Sequence, residues 1–135
     1  MTFEKIRAII ISRMTQWAGI PASAVDYPNS PSGPFDPAGK PIWARLADVP
    51  GLSSTTEIGL GPVVRRTGLV IIQLFVRSNT GTLAITRAAD TLVTHFQFYT
   101  APEAQFECLE ASAAVIGDEG NGWWQVNVSI PYRAY

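Results

Sequence analysis

His95 is the only histidine of the chain, and histidine is the side chain best suited to acid–base or metal chemistry near neutral pH. Such a histidine needs partners: a nucleophile, an orienting carboxylate or further metal ligands. No HxxxH or HExxH spacing surrounds it, and Asp90 is five residues away, so a helix would not place the two side chains on one face. We predict a structural or surface role for His95, without catalysis.

Three carboxylates, Glu103, Glu107 and Glu110, lie close together in the sequence. Paired carboxylates act as acid and base only where burial shifts the pKa of one of them. Glu107 alternates with the apolar residues Phe106 and Cys108, which predicts that Glu107 faces solvent and that Phe106 and Cys108 point inward. A solvated strand face is the interpretation we adopt.

Other sites for metals and cofactors are not predicted. Cys108 is the only cysteine, which excludes an intrachain disulfide and a CxxC motif and indicates a buried structural thiol. Gly59 and Gly61 lack the Lys-Ser/Thr pair of a phosphate loop, and Asp118-Glu119 lacks the ligand spacing of a calcium loop.

The charge of the chain argues against a dedicated nucleic-acid binder. The 135 residues are 47% hydrophobic and only 16% charged, with a net charge of −1. A DNA-binding face would be strongly basic, whereas the densest basic spot here is Arg65-Arg66. These two arginines are either simple solubility charges or contacts to a neighbouring subunit or to DNA in a lumen. Low surface charge favours a chain that a partner partly covers.

Two segments have the periodicity of amphipathic helices, residues 3–17 and 83–98. Glu4 suits the positive end of the first helix, and the short apolar run of this segment, broken by Arg13, is neither a signal peptide nor a membrane span. Synthesis and assembly in a cytoplasm follow by default. The predicted apolar faces are Phe3, Ile6, Ile10, Met14 and Trp17 in the first helix, and Ile85, Ala88, Ala89, Leu92, Val93 and Phe96 in the second.

Strands are predicted around these helices. Residues 63–76 are apolar on both faces, which is typical of a central strand covered on both sides. Shorter candidates cover residues 24–27, 42–47, 105–110, 113–116 and 123–130. In the last of these, Trp123 and Trp124 must face opposite sides.

Two long connections remain, residues 28–41 and 48–62. The first has five prolines and is expected to be a surface loop pinned by Phe35; the second is rich in Gly, Ser and Thr. Long loops in so small a domain tend to be functional.

The order of elements predicts a single α+β domain over residues 1–135, with a mixed or antiparallel sheet of four to five strands and two main helices packed on it. One core should unite the two helices with the central strand. Its predicted members are Ile6, Ile10, Trp17, Ile71, Leu74, Leu92 and Phe96.

An ordered set of short segments extends over nearly the whole chain. It consists of FEKIRAII at residue 3, WAGIP at 17, YPN at 27, PIWAR at 41, RTG at 66, IQLF at 72, AADTL at 88 and WQVNVSIPY at 124. In this order the chain resembles the phage tail terminator-like proteins, although residues 77–81 (RSNTG) stand where a proline-containing turn is expected.

The resemblance implies a structural protein of the virion without an active site or cofactor. It implies a homo-oligomeric ring, commonly a hexamer, at the head-proximal end of the tail, which stops polymerisation of the tail tube and presents a surface for head attachment. The implied partners are other copies of the chain, the tail tube protein and a head–tail connector protein, with DNA only passing through the lumen. Arg65 and Arg66 are the candidates for the subunit interface or the lumen.

Two alternatives stay open. One is another neck component, such as a head–tail connector or stopper. The other, from a different class, is a small α+β enzyme or ligand-binding domain with a pocket under the second helix, which would need a convergent catalytic set of side chains.

Overall fold

A computed structural model describes residues 1–55, 59, 61, 64–102, 105–118 and 120–135. The interpretations that concern Pro62, Val63, Glu103 and Glu119 lie outside the described residues. The elements in chain order are α1 (Phe3–Thr15), a 3-10 turn (Ala22–Ala24), β1 (Val25–Asp26), β2 (Ile42–Thr55), β3 (Val64–Arg77), α2 (Leu83–Phe96), β4 (Phe106–Cys108), β5 (Ser112–Asp118) and β6 (Trp123–Ala134).

All strands form one mixed sheet in the order β1-β2-β3-β6-β4, with β5 also paired to β6. β1 is parallel to β2, and the other pairs are antiparallel. The predicted α+β class is therefore confirmed. The sheet has six strands instead of four or five because β4 and β5 pair with different parts of the long strand β6.

The prediction that residues 48–62 form a loop is wrong for residues 48–55, which continue β2. This part of β2 pairs with β3 from Asp48↔Val70 to Pro50↔Gly68 and, after a register shift, from Ser53↔Arg66 to Thr55↔Val64. Cross-strand pairing outweighs the low strand propensity of this polar segment. Pro50 lies in the part of β2 that β1 no longer pairs with, and proline is tolerated on such edge strands.

Both helices end earlier than predicted. The hydroxyl of Thr2 accepts a hydrogen bond from the Lys5 backbone N–H at 3.1 Å and caps α1, which ends at Thr15. Phe3 was predicted on the apolar face but is 60% exposed, because it lies at the first helical position, at the end of the helix layer. α2 ends at Phe96, and Phe98 has a positive φ of 59°, which a right-handed helix cannot include.

The core lies between the helices and one face of the sheet. Residues of this face alternate along β3 and β6, where Val70, Ile72, Leu74, Val128 and Ile130 are all fully buried. The predicted core members Ile6, Ile10, Trp17, Leu74, Leu92 and Phe96 belong to this cluster. Ile71 does not: strand alternation places it on the opposite face, where it is half-buried.

The opposite face is covered at one end by residues 28–41, which contain no helix or strand. The predicted anchor Phe35 is half-buried there and lies 5.2 Å from Trp43, measured between ring centroids. Trp43 stacks in turn on Phe75 at 4.2 Å and meets the edge of Trp123 at 5.7 Å. Trp124 lies on the helix side of β6, as the alternation of strand side chains requires.

Among the described residues, no helix is both long and apolar enough to cross a membrane.

Candidate assembly surfaces

His95 connects the two helices instead of facing a cleft. Its Nε2 lies 2.7 Å from the carbonyl oxygen of Arg13, which can only accept, so the ring donates this hydrogen bond. The Arg13 guanidinium donates back to the His95 carbonyl oxygen at 2.6 and 3.1 Å and lies 4.0 Å from the Tyr99 ring centroid. Burial lowers the pKa of His95 below its ordinary value of 6.5. The hydrogen bond to the Arg13 carbonyl oxygen opposes this shift in part, and the nearby charge of Arg13 adds to it. The neutral ring therefore fits a structural role.

The other chemically suited side chains are also occupied or buried. Cys108 is buried as predicted, and burial raises the pKa of its thiol to about 12, so the reactive thiolate is suppressed. Glu107 is half-buried and forms an ion pair with Arg133 on β6. No group of three or more potential metal ligands was found among the described residues.

Arg65 and Arg66 are adjacent in β3 and therefore point to opposite faces of the sheet. The guanidinium of Arg66 donates to the Met1 carbonyl oxygen at 2.9 Å and to the Ser53 hydroxyl at 3.2 Å, which fixes the chain start to the β2–β3 pair. Arg65 is half-buried, and its Nε has no hydrogen-bond partner among the described residues. The structure thus separates the two arginines and does not place them in one shared site.

The distal part of the β2–β3 hairpin, residues 50–55 and 64–68, is named here the arm. Its β2 strand is exposed throughout, and Leu52 has 92% of its surface exposed. Val64 on the facing strand and Val49 at the base are also exposed, by 38% and 49%. A paired hairpin that carries uncovered apolar side chains has the properties of a docking element.

At the base of the arm, Gly68 leaves room for the Tyr132 ring to lie over β3 and reach β2. A Cβ at Gly68 would lie 2.3 Å from the Tyr132 hydroxyl oxygen, so no larger residue fits without a shift. The Tyr132 hydroxyl donates to Asp48 at 2.9 Å. Burial raises the pKa of the Asp48 carboxyl, and the hydrogen bond from Tyr132 lowers it in part. Asp48 also lines a groove of about 470 Å³ between α1 and β2.

Sequence reasoning missed two features of these surfaces. Residues 48–55 contain glycine, serine and threonine, a composition typical of a loop, and only their pairing with β3 makes them a strand. The groove depends on where β1 leaves the sheet, which periodicity does not reveal. The prolines that follow Tyr27 are the signal that indicates this departure.

Comparison with known proteins agrees with this arrangement. One solved structure superposes with a TM-score of 0.71 at 17% identity, over 100% of this chain and 96% of the other, which shows a shared fold. No match was found among curated protein sequences. The model of the phage tail terminator protein family matches residues 5–132. The class is thus that of structural proteins of the phage tail. The chain belongs to the phage tail terminator protein family.

Proposed function

We propose that the protein forms a closed ring at the head-proximal end of the tail tube, where it terminates tube polymerisation and provides the surface for head attachment. Membership of the tail terminator family supports this role. The observation that carries the proposal is the arm, a paired hairpin with an almost fully exposed leucine at position 52.

Burial of that leucine against a neighbour would stabilise the contact. Full burial of an exposed leucine side chain contributes about 1.5–3 kcal/mol. The arm is held in place at its base by the hydrogen bonds of Arg66 and Tyr132, so little order has to be gained on docking. A preorganised apolar projection of this kind suits insertion between ring subunits or into the end of the tube.

A ring of identical subunits needs heterologous contacts, in which one patch of each subunit meets a different patch of the next. The partners in this proposal are further copies of the chain, which together form a ring of six, the tail tube protein and a head–tail connector protein. DNA passes only through the lumen. Arg65 and Arg66 are the candidates for a lumen or interface contact, although the guanidinium of Arg66 already binds the Met1 carbonyl oxygen.

The two alternatives fit less well. A connector or stopper would share the virion location but would leave the length of the tube unchanged when lost. An enzyme or ligand-binding domain would need a pocket with a catalytic or binding set of side chains. The groove described here lies between α1 and β2, and it contains arginines, aspartates and a tyrosine but neither His95 nor Cys108.

The test shortens the arm, removes its exposed leucine and keeps the fold. Residues 54–65 are replaced by Asn-Gly, a pair that closes two-residue hairpins, so that Ser53 and Arg66 stay paired, and Leu52 is replaced by Ser. A phage that lacks the native protein is supplied with this variant, and its tails are measured by electron microscopy. We expect overlong tails without heads. The purified variant should have a melting temperature close to that of the native protein.

The matched control is Leu52→Ser, which keeps the arm and removes only its most exposed apolar side chain. We expect an intermediate loss of head joining. Tails of normal length that join heads with the shortened variant would show that the arm is not the docking element. Normal tube length together with failed joining would instead favour a connector.

A further inference from the structure

The sheet has an open edge where β1 departs. β1 pairs with β2 only through Val25↔Ala44 and Asp26↔Arg45. Two residues further, Pro28 has no backbone N–H to donate, and Asn29 has a positive φ of 46°, which turns the chain away from the strand direction. Beyond Arg45, no described strand therefore pairs with this side of β2.

The groove between α1 and β2 lies at this open edge. Its floor includes Leu46, Ala47 and Asp48 of β2, and α1 forms one wall with Phe3 and Arg7. The end of β1 forms the boundary along the strand direction. A space that begins where a strand stops, beside unpaired strand backbone, can accept another extended strand by β-augmentation.

The opposite end of the sheet has a second open edge, β5. β5 pairs with β6 on one side and with no described strand on the other. Exposed strand edges are usually protected by lysine or proline, but β5 (SAAVIGD) contains neither. Val115 and Ile116 are exposed by 69% and 40%. An edge of this composition is expected to be covered in the assembled protein, although the register shift near Val115 shortens its regular part.

The parts of the chain that contain the two edges differ in charge. Nine of the ten Lys and Arg residues precede residue 88, and none lies between residues 88 and 132, a stretch that holds six of the eleven acidic residues and includes β5. The groove is bordered by Arg7 and Arg45 and also by Asp26 and Asp48, and the only charged residue of β5 is Asp118. Arg45 is paired with Asp26 at 3.2 Å, whereas Arg7 forms no ion pair with any described residue. Attraction between Arg7 of one copy and Asp118 of another would favour contact between the two edges.

Strand direction is also compatible with this contact. The pairs β2–β3, β3–β6 and β6–β5 are all antiparallel, so β5 runs opposite to β2. In a ring of equivalent copies, β5 of one copy would therefore meet β2 of the next in the antiparallel sense that the sheet already uses.

We propose that β5 of each copy occupies the groove between α1 and β2 of the next copy and pairs with the open edge of β2 at residues 46–48, so that the sheet continues from subunit to subunit. This inference rests on the proposed ring and names its contact. The contact is heterologous, as ring closure requires, and it covers both open edges at once.

Cross-linking between different copies tests the contact. Two single variants, Phe3→Cys and Val115→Cys, are mixed, assembled and treated with a short bis-maleimide; native Cys108 is buried and should not react. We expect cross-linked pairs in the mixture and none in either variant alone. The control is Thr86→Cys, an exposed position on the outer side of α2, which should cross-link with neither. The same reactions are run on tails assembled with these variants.

The outcomes separate the two proposals. If light scattering shows only monomers and no cross-links form on tails, the ring itself is wrong. A ring without Phe3–Val115 cross-links overturns only the edge contact; cross-links of Val115→Cys with itself would indicate symmetric β5–β5 pairing. Cross-links to the tube protein alone would show that the tube occupies the groove.

An independent variant measures the strength of the contact. Val115→Asp introduces a charge at a residue that is 69% exposed in one subunit, so the fold should be unaffected. We expect ring association to weaken at least ~10-fold, because the charge would be buried on assembly. Thr86→Asp adds the same charge on the outer side of α2 and should assemble normally. Equal assembly of both variants would overturn the proposal.

Discussion

At the scale of single residues, the one histidine of the chain is a connector of helices. The Nε2 of His95 and the guanidinium of Arg13 each bind the carbonyl oxygen of the other residue. Trp17 adds a parallel link, since its indole N–H donates to the Thr91 hydroxyl at 3.1 Å. Each of these bonds replaces a water contact at the junction of α1 and α2, so they fix the position of one helix against the other.

His95→Ala should lower the free energy of unfolding by about 0.5–1.5 kcal/mol, the usual contribution of one hydrogen bond, and leave assembly intact. The folded protein has a lowered His95 pKa, so below pH 6.5 the unfolded chain binds the proton first and stability falls as the pH decreases. We expect the native protein to lose this stability below pH 6.5 and the variant to lack that component. Urea unfolding between pH 5 and 8 measures it.

The control for this prediction is Thr94→Ala, an exposed neighbour on the same helix. It should keep the pH dependence of the native protein. A tail-assembly defect of His95→Ala at normal stability would contradict the structural role.

At the scale of elements, α2 is held on the sheet by its apolar stripe. Ile85, Ala88, Ala89, Leu92 and Phe96 are all buried, and Leu92 is 0% exposed. Because α1 is fixed against α2 by the His95–Arg13 bonds, the burial of α2 also determines where α1 lies and hence the position of one groove wall.

Leu92→Ala should destabilise the protein by about 2–5 kcal/mol, through lost transfer energy and a residual cavity. Leu83→Ala on the same helix is the matched control, because Leu83 is 64% exposed, and should change stability by less than about 0.5 kcal/mol. Chemical denaturation of both variants measures the difference. A loss below about 0.5 kcal/mol for Leu92→Ala would contradict the described packing.

At the scale of the whole molecule, the net charge is near zero, but positive and negative residues are concentrated in different parts of the chain. Positive residues are concentrated in the part that forms α1, β2 and β3, and acidic residues dominate the part that contains β4 and β5. These parts include opposite edges of the sheet. A molecule with this distribution favours head-to-tail association of copies, the type of contact that a closed ring uses.

Ring association should therefore weaken as salt increases. The Debye length falls from about 10 Å at 0.1 M salt to about 3 Å at 1 M, which screens contacts between exposed charges. Light scattering across this range should show that, in high salt, the ring dissociates at a higher protein concentration than in low salt. Arg7→Gln should associate more weakly at low salt and depend less on salt. Association that strengthens or stays constant with salt would contradict an electrostatic edge contact.

The sequence by itself determined the elements whose burial follows a period. Both helices, the central strand β3 and the buried state of Cys108 follow from residues that recur at helical or strand spacing, because each such residue must reach the same core. The lack of partners around His95 in the sequence likewise indicates a structural role, without reference to its contacts with Arg13.

Only the tertiary structure decided what depends on pairing between distant segments. Residues 48–55 became a strand through β3, Ile71 was assigned to the opposite face by the register of β3, and Arg65 and Arg66 were separated by strand alternation. The open edges of β2 and β5 also emerge only when strand order is known, since an edge is defined by the absence of a neighbour in space. Local propensity contains no information about such neighbours, and the pairing energy that selects them comes from contacts between strands far apart in the chain.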